Sequence, residues 1–455
     1  MIARWQQPDS AISSNASPKN TEKMTVFLED LLAQDYRHSD RDLLDRICFL
    51  IDVQRRLQDR YTDQRLIARA ADGDVVVSAR TLRAVTTWLL DRIEADRDIK
   101  AVNTFLKLAD GHLRDAPSPA SATEVEWVKS LVASIGLPQL ADSGGLLNVV
   151  DASRRVRDGG TDQRTPSVNQ AVAMRNWNSV VVAWNKSPVA AAYLSVLQNR
   201  GLEPARLIRA VPVIPLKRRV RRRIGSSARS LLRLFGSGDR TVSSRVRPEI
   251  FRRMPAELPE SSAQAFRNRS ARVEVKTGNI NDERLVAEIA DCRPERILFT
   301  GGGIVRPQTF ERAGGNWLHM HPGRLPGVRG ADGFFWSVLL HGYPSVSAIY
   351  QDPGIDTGEV LIEKHFERPE MDVDRIAKLG SHRHAIVYRT ILGLFDPWMR
   401  ALTLDALLDE EQMPGKPIRQ SSTGAEGVEP RGRAYHFMHP LLRARAIDVL
   451  VEHSS

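Results

Sequence analysis

The sequence predicts an α/β protein in which a mainly parallel, doubly wound sheet follows an all-α N-terminal domain. From Asn178 onward, short runs of β-branched and apolar residues alternate with helix-like segments, as in parallel sheets with crossover helices. Loops rich in Gly, Pro and Asp follow the later runs, at the strand ends where such sheets carry their sites. Between about Thr25 and Leu113, apolar residues recur at spacings of three, four and seven, which predicts the helical domain.

Length and composition are those of a globular protein with more than one domain. Of 455 residues, 42% are hydrophobic and 26% are charged, which is ordinary for globular domains. No apolar run approaches the roughly 20 residues that a membrane span needs, so no transmembrane segment is predicted. The N-terminus lacks the apolar region of a secretory signal, and Cys48 and Cys292 make no disulfide framework. We therefore expect a cytoplasmic protein.

Changes in composition predict the domain boundaries. In chain order they are a disordered polar leader at 1–23, a helical N-terminal domain at 24–150, a polar linker at 151–177, the α/β domain at 178–400 with an insertion at 206–253, and a C-terminal extension at 401–455. Asp115–Thr123 has the composition of a linker, and Ser153–Val168 is a second polar segment rich in Arg, Asp and Gly, as is typical between domains.

The predicted elements of the α/β domain follow in the expected alternation. Ser179–Trp184 is a β-branched run, and Pro188 suits the first turn of a helix that continues to about Arg200. Asp282–Ala290 has helical spacing. Further strands are predicted at Ala205–Val213, Ala271–Lys276, Arg296–Thr300, Trp317–Met320, Ser345–Gln351 and from Val360 onward.

The net charge of +10 is concentrated in the predicted insertion, residues 206–253. This segment holds fifteen Lys or Arg residues against two acids, and Lys217–Arg223 has six cations in seven residues. Clustered cations repel one another and are stabilised when anions neutralise them. One interpretation is therefore a polyanionic partner, which is RNA, an acidic carrier or an anionic lipid surface. The other is a solvated insertion without a partner.

A glycine cluster follows one of the predicted strands. Gly301, Gly302 and Gly303 precede Ile304. The cluster lacks the G-x-G-x-x-G spacing of dinucleotide-binding loops and the lysine of a P-loop. It therefore favours a tight turn, or a backbone that lies against a flat ligand, over a nucleotide-binding loop.

Two polar loops carry the candidate catalytic residues. His319 and His321 are two positions apart on a predicted strand, so their side chains share a face. The second loop contains Asp352 and Asp356 on either side of Pro-Gly-Ile, and Gly358 follows. From the residues alone, two histidines and two aspartates fit a metal site. Surface histidines beside a turn-forming Asp-Pro-Gly fit equally well, and both interpretations stay open here.

The order and spacing of the two loops resemble the folate-dependent formyltransferases. That family has N-x-H-P-[SG]-x-L-P-x-x-x-G, and later D-x-G-[IV]-D-x-G. The corresponding segments here are His319–Gly330 (HMHPGRLPGVRG) and Asp352–Gly358 (DPGIDTG). The polar loop after the first strand, the G-G-G-I sequence before the histidines and Trp336 between the motifs match as well. The resemblance covers about residues 178–400 and implies a Rossmann-like formyltransferase sheet.

The resemblance also implies roles for individual residues. His321 is the central catalytic imidazole, Asp356 is its carboxylate partner, and His319 stands where the family has an Asn that donates to the oxyanion. A histidine can still donate from one ring nitrogen, with an altered pH dependence. The implied chemistry requires no metal ion and no covalent intermediate. The residues implied to bind 10-formyltetrahydrofolate, the co-substrate, are Gly301, Gly302, Gly303, Ile304, Asp352 and Gly354.

The expected function is a transferase of one-carbon metabolism that moves a formyl group from 10-formyltetrahydrofolate to the amine of a small molecule. A protonated His321 beside Asp356 would stabilise the oxyanion that forms when the amine attacks. Formylation of an aminoacyl group on tRNA or a carrier is an alternative, although only 55 residues follow position 400 for the tRNA-binding barrel of methionyl-tRNA formyltransferases. A catalytically impaired binding protein, marked by the change to His319, is the third interpretation.

Overall fold

The computed structural model describes a helical region that begins at residue 79 and the α/β region that follows it. The described residues are 79–110, 120–138, 145–158, 175–184, 187–211, 246–258, 272–277, 279–301, 305–352, 356, 358–411, 433–435 and 437–454. The predicted leader at 1–23 and the basic run Lys217–Arg223 lie outside the described residues.

The described helices, in chain order, are α1 (Ala79–Asp96), α2 (Ile99–Ala109), α3 (Ala122–Ser134), α4 (Val149–Arg157), α5 (Pro188–Asn199), α6 (Glu283–Ala290), α7 (Pro307–Ala313), α8 (Gly333–His341), α9 (Val373–Ala377), α10 (Arg383–Thr390), α11 (Asp396–Glu411) and α12 (Pro440–Glu452). The strands are β1 (Arg175–Trp184), β2 (Leu202–Val211), β3 (Arg272–Lys276), β4 (Arg296–Phe299), β5 (Asn316–His321), β6 (Val328–Gly330), β7 (Ser345–Tyr350), β8 (Glu359–His365) and β9 (Arg433–Tyr435). Among these helices, none is both long and apolar enough to cross a membrane.

Seven strands form one mixed sheet in the order β3-β2-β1-β4-β5-β7-β8. The first five strands of this order are parallel to one another, whereas β7 is antiparallel to both β5 and β8. The chain runs outward from β1 to β3 and then returns to β4 on the other side of β1. This is the topology of a doubly wound sheet, and it confirms the predicted fold class. The point where the order reverses lies between β1 and β4, and ligands bind at such points beyond the carboxyl ends of the strands.

Apolar side chains on the faces of the sheet form the core of the α/β region. On one face, Val180 and Val182 of β1, Ile297 of β4 and Leu285 and Ile289 of α6 pack in one buried cluster. On the other face, α11 packs against α5 and against β5, β7 and β8. The second face matters for the site because α11 runs beneath the strand that carries both histidines.

The described residues divide into two compact units. The first unit takes in the described parts of Met1–Gly136, Pro326–Asp332 and Arg431–Ala446, and the second takes in the rest. The first unit contains α1, α2 and α3, and also the two-stranded parallel pair β6–β9. The prediction of a helical N-terminal region is confirmed, since α1, α2 and α3 are the elements described between residues 79 and 136.

Caps and buried residues explain the helices of the first unit. Asp98 accepts from the backbone N–H of Lys100 at the start of α2. Ser121 and Glu124 form a capping box at the start of α3, and such a pair satisfies two free N–H groups of a helix end. Leu89 and Phe105 are fully buried between the helices.

Three predicted boundaries differ from the structure. The first part of the predicted linker 151–177 is helical, because α4 begins at the cap residue Asn148 and buries Val149 and Val156 beneath an arginine-rich face. The first residues of the predicted insertion 206–253 belong to β2, and its last residues include the buried Ile250. The predicted break at 400 falls inside α11. In α4, the arginines on one face concealed the apolar residues on the other.

Candidate active site

Strand β5 presents both histidines to one buried site. His319 and His321 are 8% and 2% exposed, and their ring centroids are 6.3 Å apart. In the antiparallel pairing with β7, Ile349 lies opposite His319 and Ser347 lies opposite His321. The expectation that the two imidazoles share a face is correct. Because β5 has a neighbour on each side, the backbone that carries the histidines is rigid.

The loop after β5 is held by Ser347 and by a glycine. The Ser347 hydroxyl donates to the carbonyl of Gly323 at 2.8 Å and accepts from the backbone N–H of Leu325 at 3.1 Å. A Cβ on Gly333, the first residue of α8, would lie 1.8 Å from the carbonyl oxygen of Pro322. Only glycine therefore allows α8 to begin so close to the loop that follows the histidines.

Asp356 is brought to His321 by an unusual backbone conformation. Its φ of +50° is in the left-handed region, which few residues other than Gly, Asn and Asp adopt readily. A Cβ on Gly358 would lie 1.7 Å from the carbonyl oxygen of Tyr350, so Gly358 lies tightly against the end of β7. As a result, Oδ2 of Asp356 lies 3.3 Å from Nδ1 of His321.

One ligand atom from each of His319, His321 and Asp356 lies within 4.8 Å of the other two. Asp352, the fourth member of the acid and histidine set considered from the sequence, is exposed and is not part of this group. The three residues expected to be catalytic are therefore together, and the four-residue metal site is not assembled.

Burial decides the protonation of His319. Removal from water lowers the pKa of His319 to about 3; Arg400 and His321 lower it further, while Asp356 and the Phe299 carbonyl oppose the shift. His319 is therefore neutral near pH 7, with one N–H to donate and one nitrogen lone pair. Its Nδ1 has no hydrogen-bond partner among the described residues.

An ion pair on α11 lies behind the histidines and was not predicted from the sequence. Nε of Arg400 is 2.8 Å from Oδ2 of Asp396, and Nη1 donates at 3.3 Å to the carbonyl of Met320, the residue between the histidines. Burial raises the pKa of the Asp396 carboxyl, while Arg400 and His321 oppose that shift. Burial also raises the pKa of the nearby Tyr193 hydroxyl far above its usual range. The sequence signal was an Asp and an Arg four positions apart at the start of α11, on either side of the apolar residues Trp398 and Met399.

The glycine cluster lies at the point where the strand order reverses. A Cβ on Gly301 would overlap the Trp184 indole, at 1.6 Å from Nε1, so the backbone after β4 lies directly against the last residue of β1. The Thr300 hydroxyl donates to the Val182 carbonyl at 2.8 Å and ties the two strand ends together. The other implied binding residues Gly302, Gly303, Ile304 and Gly354 lie outside the described residues.

Sequence comparison relates part of the chain to formyltransferases. One segment is 30% identical over 112 residues to the methionyl-tRNA formyltransferase of Syntrophus aciditrophicus, covering 22% of this chain and 35% of that protein. The protein of the same name from Halothermothrix orenii is 26% identical over 113 residues, covering 23% of this chain and 36% of the relative. Part of the chain is therefore similar in sequence to methionyl-tRNA formyltransferases. This confirms the resemblance found in the two motifs.

The similarity is partial in extent. The formyltransferase-like chain spans about a third of the length of these relatives, and no family model matches it. The sugar N-formyltransferase of a Shewanella species superposes with a TM-score of 0.31 at 10% identity, over 59% of this chain and 87% of that one. Methionyl-tRNA formyltransferase from Clostridium thermocellum superposes with a TM-score of 0.25 at 21% identity, over 39% of this chain and 67% of that one. Superpositions at this level assign no substrate.

Proposed function

We propose that this protein transfers the formyl group of 10-formyltetrahydrofolate to an amine of a small molecule. The observation that carries the proposal is the contact of 3.3 Å between His321 Nδ1 and Asp356 Oδ2, with both side chains largely withdrawn from solvent. The two motifs and the segment shared with formyltransferases supply the reaction class. A buried imidazole beside a carboxylate suits this reaction because a carboxylate favours the charged form of the ring.

Each proton in the reaction has an acceptor or donor in this site. The amine nitrogen forms a bond to the formyl carbon, and the formyl oxygen becomes an oxyanion. Protonated His321 donates to that oxygen. The amine loses its proton to Asp356, directly or by way of water, and this proton is passed to N10 as the bond from carbon to N10 of the folate breaks. The carbonyl re-forms in the same step, and His321 keeps the proton that it had shared with the oxyanion.

We propose that the formyl donor occupies the crevice beyond β1 and β4. The support is position: Trp184 ends β1, Gly301 follows β4, and the strand order reverses between these two strands, which is where doubly wound sheets bind their ligands. Asp352 at the end of β7, together with Gly302, Gly303, Ile304 and Gly354, is assigned to the donor by family resemblance alone.

Formylation of an aminoacyl group on tRNA is the second candidate. The relatives matched in sequence carry the name methionyl-tRNA formyltransferase, and the basic run Lys217–Arg223 offers phosphate contacts. Substituting Ser for Arg218, Arg219, Arg221, Arg222 and Arg223 would then weaken RNA binding and flatten its salt dependence, without lowering turnover of a small amine. Binding to anionic vesicles or an acidic carrier instead would redirect the proposal, and no binding to any of them leaves a solvated insertion.

An acceptor screen tests the proposed function. Purified protein is incubated with 10-formyltetrahydrofolate and pooled amines or aminoacylated tRNA, and release of tetrahydrofolate is followed together with the mass of the formylated product. Product from a small amine supports the proposal, and product from charged tRNA alone supports the second candidate. Binding of the folate without any product indicates the catalytically impaired binding protein.

A further inference from the structure

His319 gives the site a second imidazole beside that of His321. His319, His321 and Asp356 each offer a ligand atom within 4.8 Å of the other two. Among the described residues, this is the one group of three His, Cys, Asp or Glu side chains with ligand atoms so close together. Two imidazoles and one carboxylate form the donor set of open sites for Zn²⁺ and related divalent ions.

The distance from His321 to Asp356 suits two ligands of one ion. Nδ1 and Oδ2 are 3.3 Å apart, whereas a charge-assisted N–H···O hydrogen bond is about 2.7–2.9 Å long. Two ligands that each lie about 2.0–2.1 Å from a tetrahedral ion are separated by about 3.3 Å. The pair therefore has room for an ion between its atoms.

His319 contributes an unsatisfied nitrogen. Its side chain is 8% exposed, and its Nδ1 has no hydrogen-bond partner among the described residues. Buried polar atoms normally have a partner, and an orphan of this kind calls for an explanation such as an ion. Arg400, whose side chain contacts the backbone carbonyl between the two histidines, is paired with Asp396 at 2.8 Å. The positive charge of Arg400 is therefore offset by Asp396, and the carboxylate of Asp356 attracts a cation to the site.

We infer that His319, His321 and Asp356 bind one divalent transition-metal ion, and that this ion competes with formyl transfer. A ligated nitrogen of His321 has no proton to donate, and a ligated carboxylate of Asp356 is a poor proton acceptor. The two uses of the residues therefore exclude each other. The binding claim stands on the geometry, and the competition claim rests on the proposed function.

Metal binding is tested with the full chain after dialysis against a chelator. Co²⁺ is titrated while the visible d–d absorption is recorded, and Zn²⁺ binding is measured by calorimetry. We expect one ion per chain. His319→Asn, which restores the family's residue, should weaken binding at least about 100-fold, because loss of even an outer-shell partner costs about 10–100-fold. His453→Asn, the same change at an exposed histidine outside the site, should bind as the wild type does.

A second variant guards against a folding artefact. Asp356→Asn removes the carboxylate, and Asn tolerates the left-handed backbone found there. It should weaken metal binding while its thermal melting stays close to that of the wild type. Absence of a Co²⁺ band in the wild type, or equal affinity in wild type, His319→Asn and Asp356→Asn, overturns the site.

The competition claim has its own readout. In a preparation that transfers formyl groups, Zn²⁺ should inhibit the transfer. Half-inhibition should occur at a Zn²⁺ concentration equal to the dissociation constant of the ion, and a chelator should restore the rate. Activation by Zn²⁺, or full activity with the ion bound, overturns the competition claim. If no formyl acceptor is found, the Co²⁺ titration still decides the binding claim, so failure of the proposed function and failure of the metal site are distinguishable.

Discussion

Asp356 reaches His321 through a left-handed backbone, and its Oδ2 lies 3.3 Å from Nδ1 of that histidine. His321 is the last residue of β5, and Asp356 lies between β7 and β8 in the sequence. Gly358 lies against the end of β7, since a side chain there would strike the carbonyl of Tyr350. The conformation at Asp356 is thus part of the site and not a feature of a passive turn.

Substitution of Asp356 should separate activity from stability. Asp356→Asn keeps a residue that accepts the left-handed region, whereas Asp356→Ala does not and should cost about 1–2 kcal/mol of unfolding free energy. Both variants lose the carboxylate, so both should lose formyl transfer about 100-fold or more. Urea denaturation and steady-state turnover give the two quantities. Equal stability of the two variants would mean that the backbone at this position is unstrained.

A methyl group at Gly333 should displace the loop that follows the histidines. The new Cβ would lie 1.8 Å from the Pro322 carbonyl oxygen, and overpacking of this kind costs about 1–3 kcal/mol. Turnover should fall with stability because the same loop follows His321. Gly136→Ala is the matched control, since a Cβ added there would meet no atom within 4 Å and the φ of Gly136 is not positive. A wild-type melting temperature for Gly333→Ala would show that the loop yields freely.

Local sequence patterns predicted the sheet, the shared face of His319 and His321, and the Asp and Gly segment that follows β7. Each of these features depends on residues that are neighbours in the chain. Alternating strands and helices, the i and i+2 spacing of His319 and His321, and the Gly and Pro content of the loops are all local. The ion pair of Arg400 and Asp396 was not predicted, because α11 meets β5 only through tertiary packing. For the same reason, α4 was mistaken for linker, since the burial of Val149 depends on residues distant in the sequence.

Removal of the Arg400 guanidinium should destabilise the α/β region strongly. Arg400→Leu leaves the Asp396 carboxylate buried without its partner, which typically costs about 3–5 kcal/mol. The double variant with Asp396→Leu removes both charges and should recover most of that loss. A double-mutant cycle by urea denaturation measures the coupling. If the two single losses simply add, the pair is not coupled in the folded protein.

The first helical unit should lose stability in acid through Glu124. Its carboxylate accepts both Nη1 and Nη2 of Arg83, at 2.8 and 2.7 Å, and this contact lowers the pKa of Glu124 to about 2 from an ordinary 4.5. The stabilising contribution is therefore complete above about pH 4.5 and is lost as the pH falls towards 2. Denaturation profiles of wild type and Glu124→Gln should converge over that window. Parallel profiles at every pH would show that the pair does not contribute.

Transfer of an isotopically labelled formyl group tests the central claim most directly. Wild type and His321→Ala are given [¹³C-formyl]-10-formyltetrahydrofolate with the acceptor found in the screen, and the label is followed into the product. The wild type should transfer the label and release tetrahydrofolate in equal amounts. His321→Ala should be slower by about 100-fold or more while remaining folded, as loss of an oxyanion donor predicts. Label transfer at the wild-type rate in His321→Ala would contradict the assignment of His321 and Asp356 as the catalytic pair.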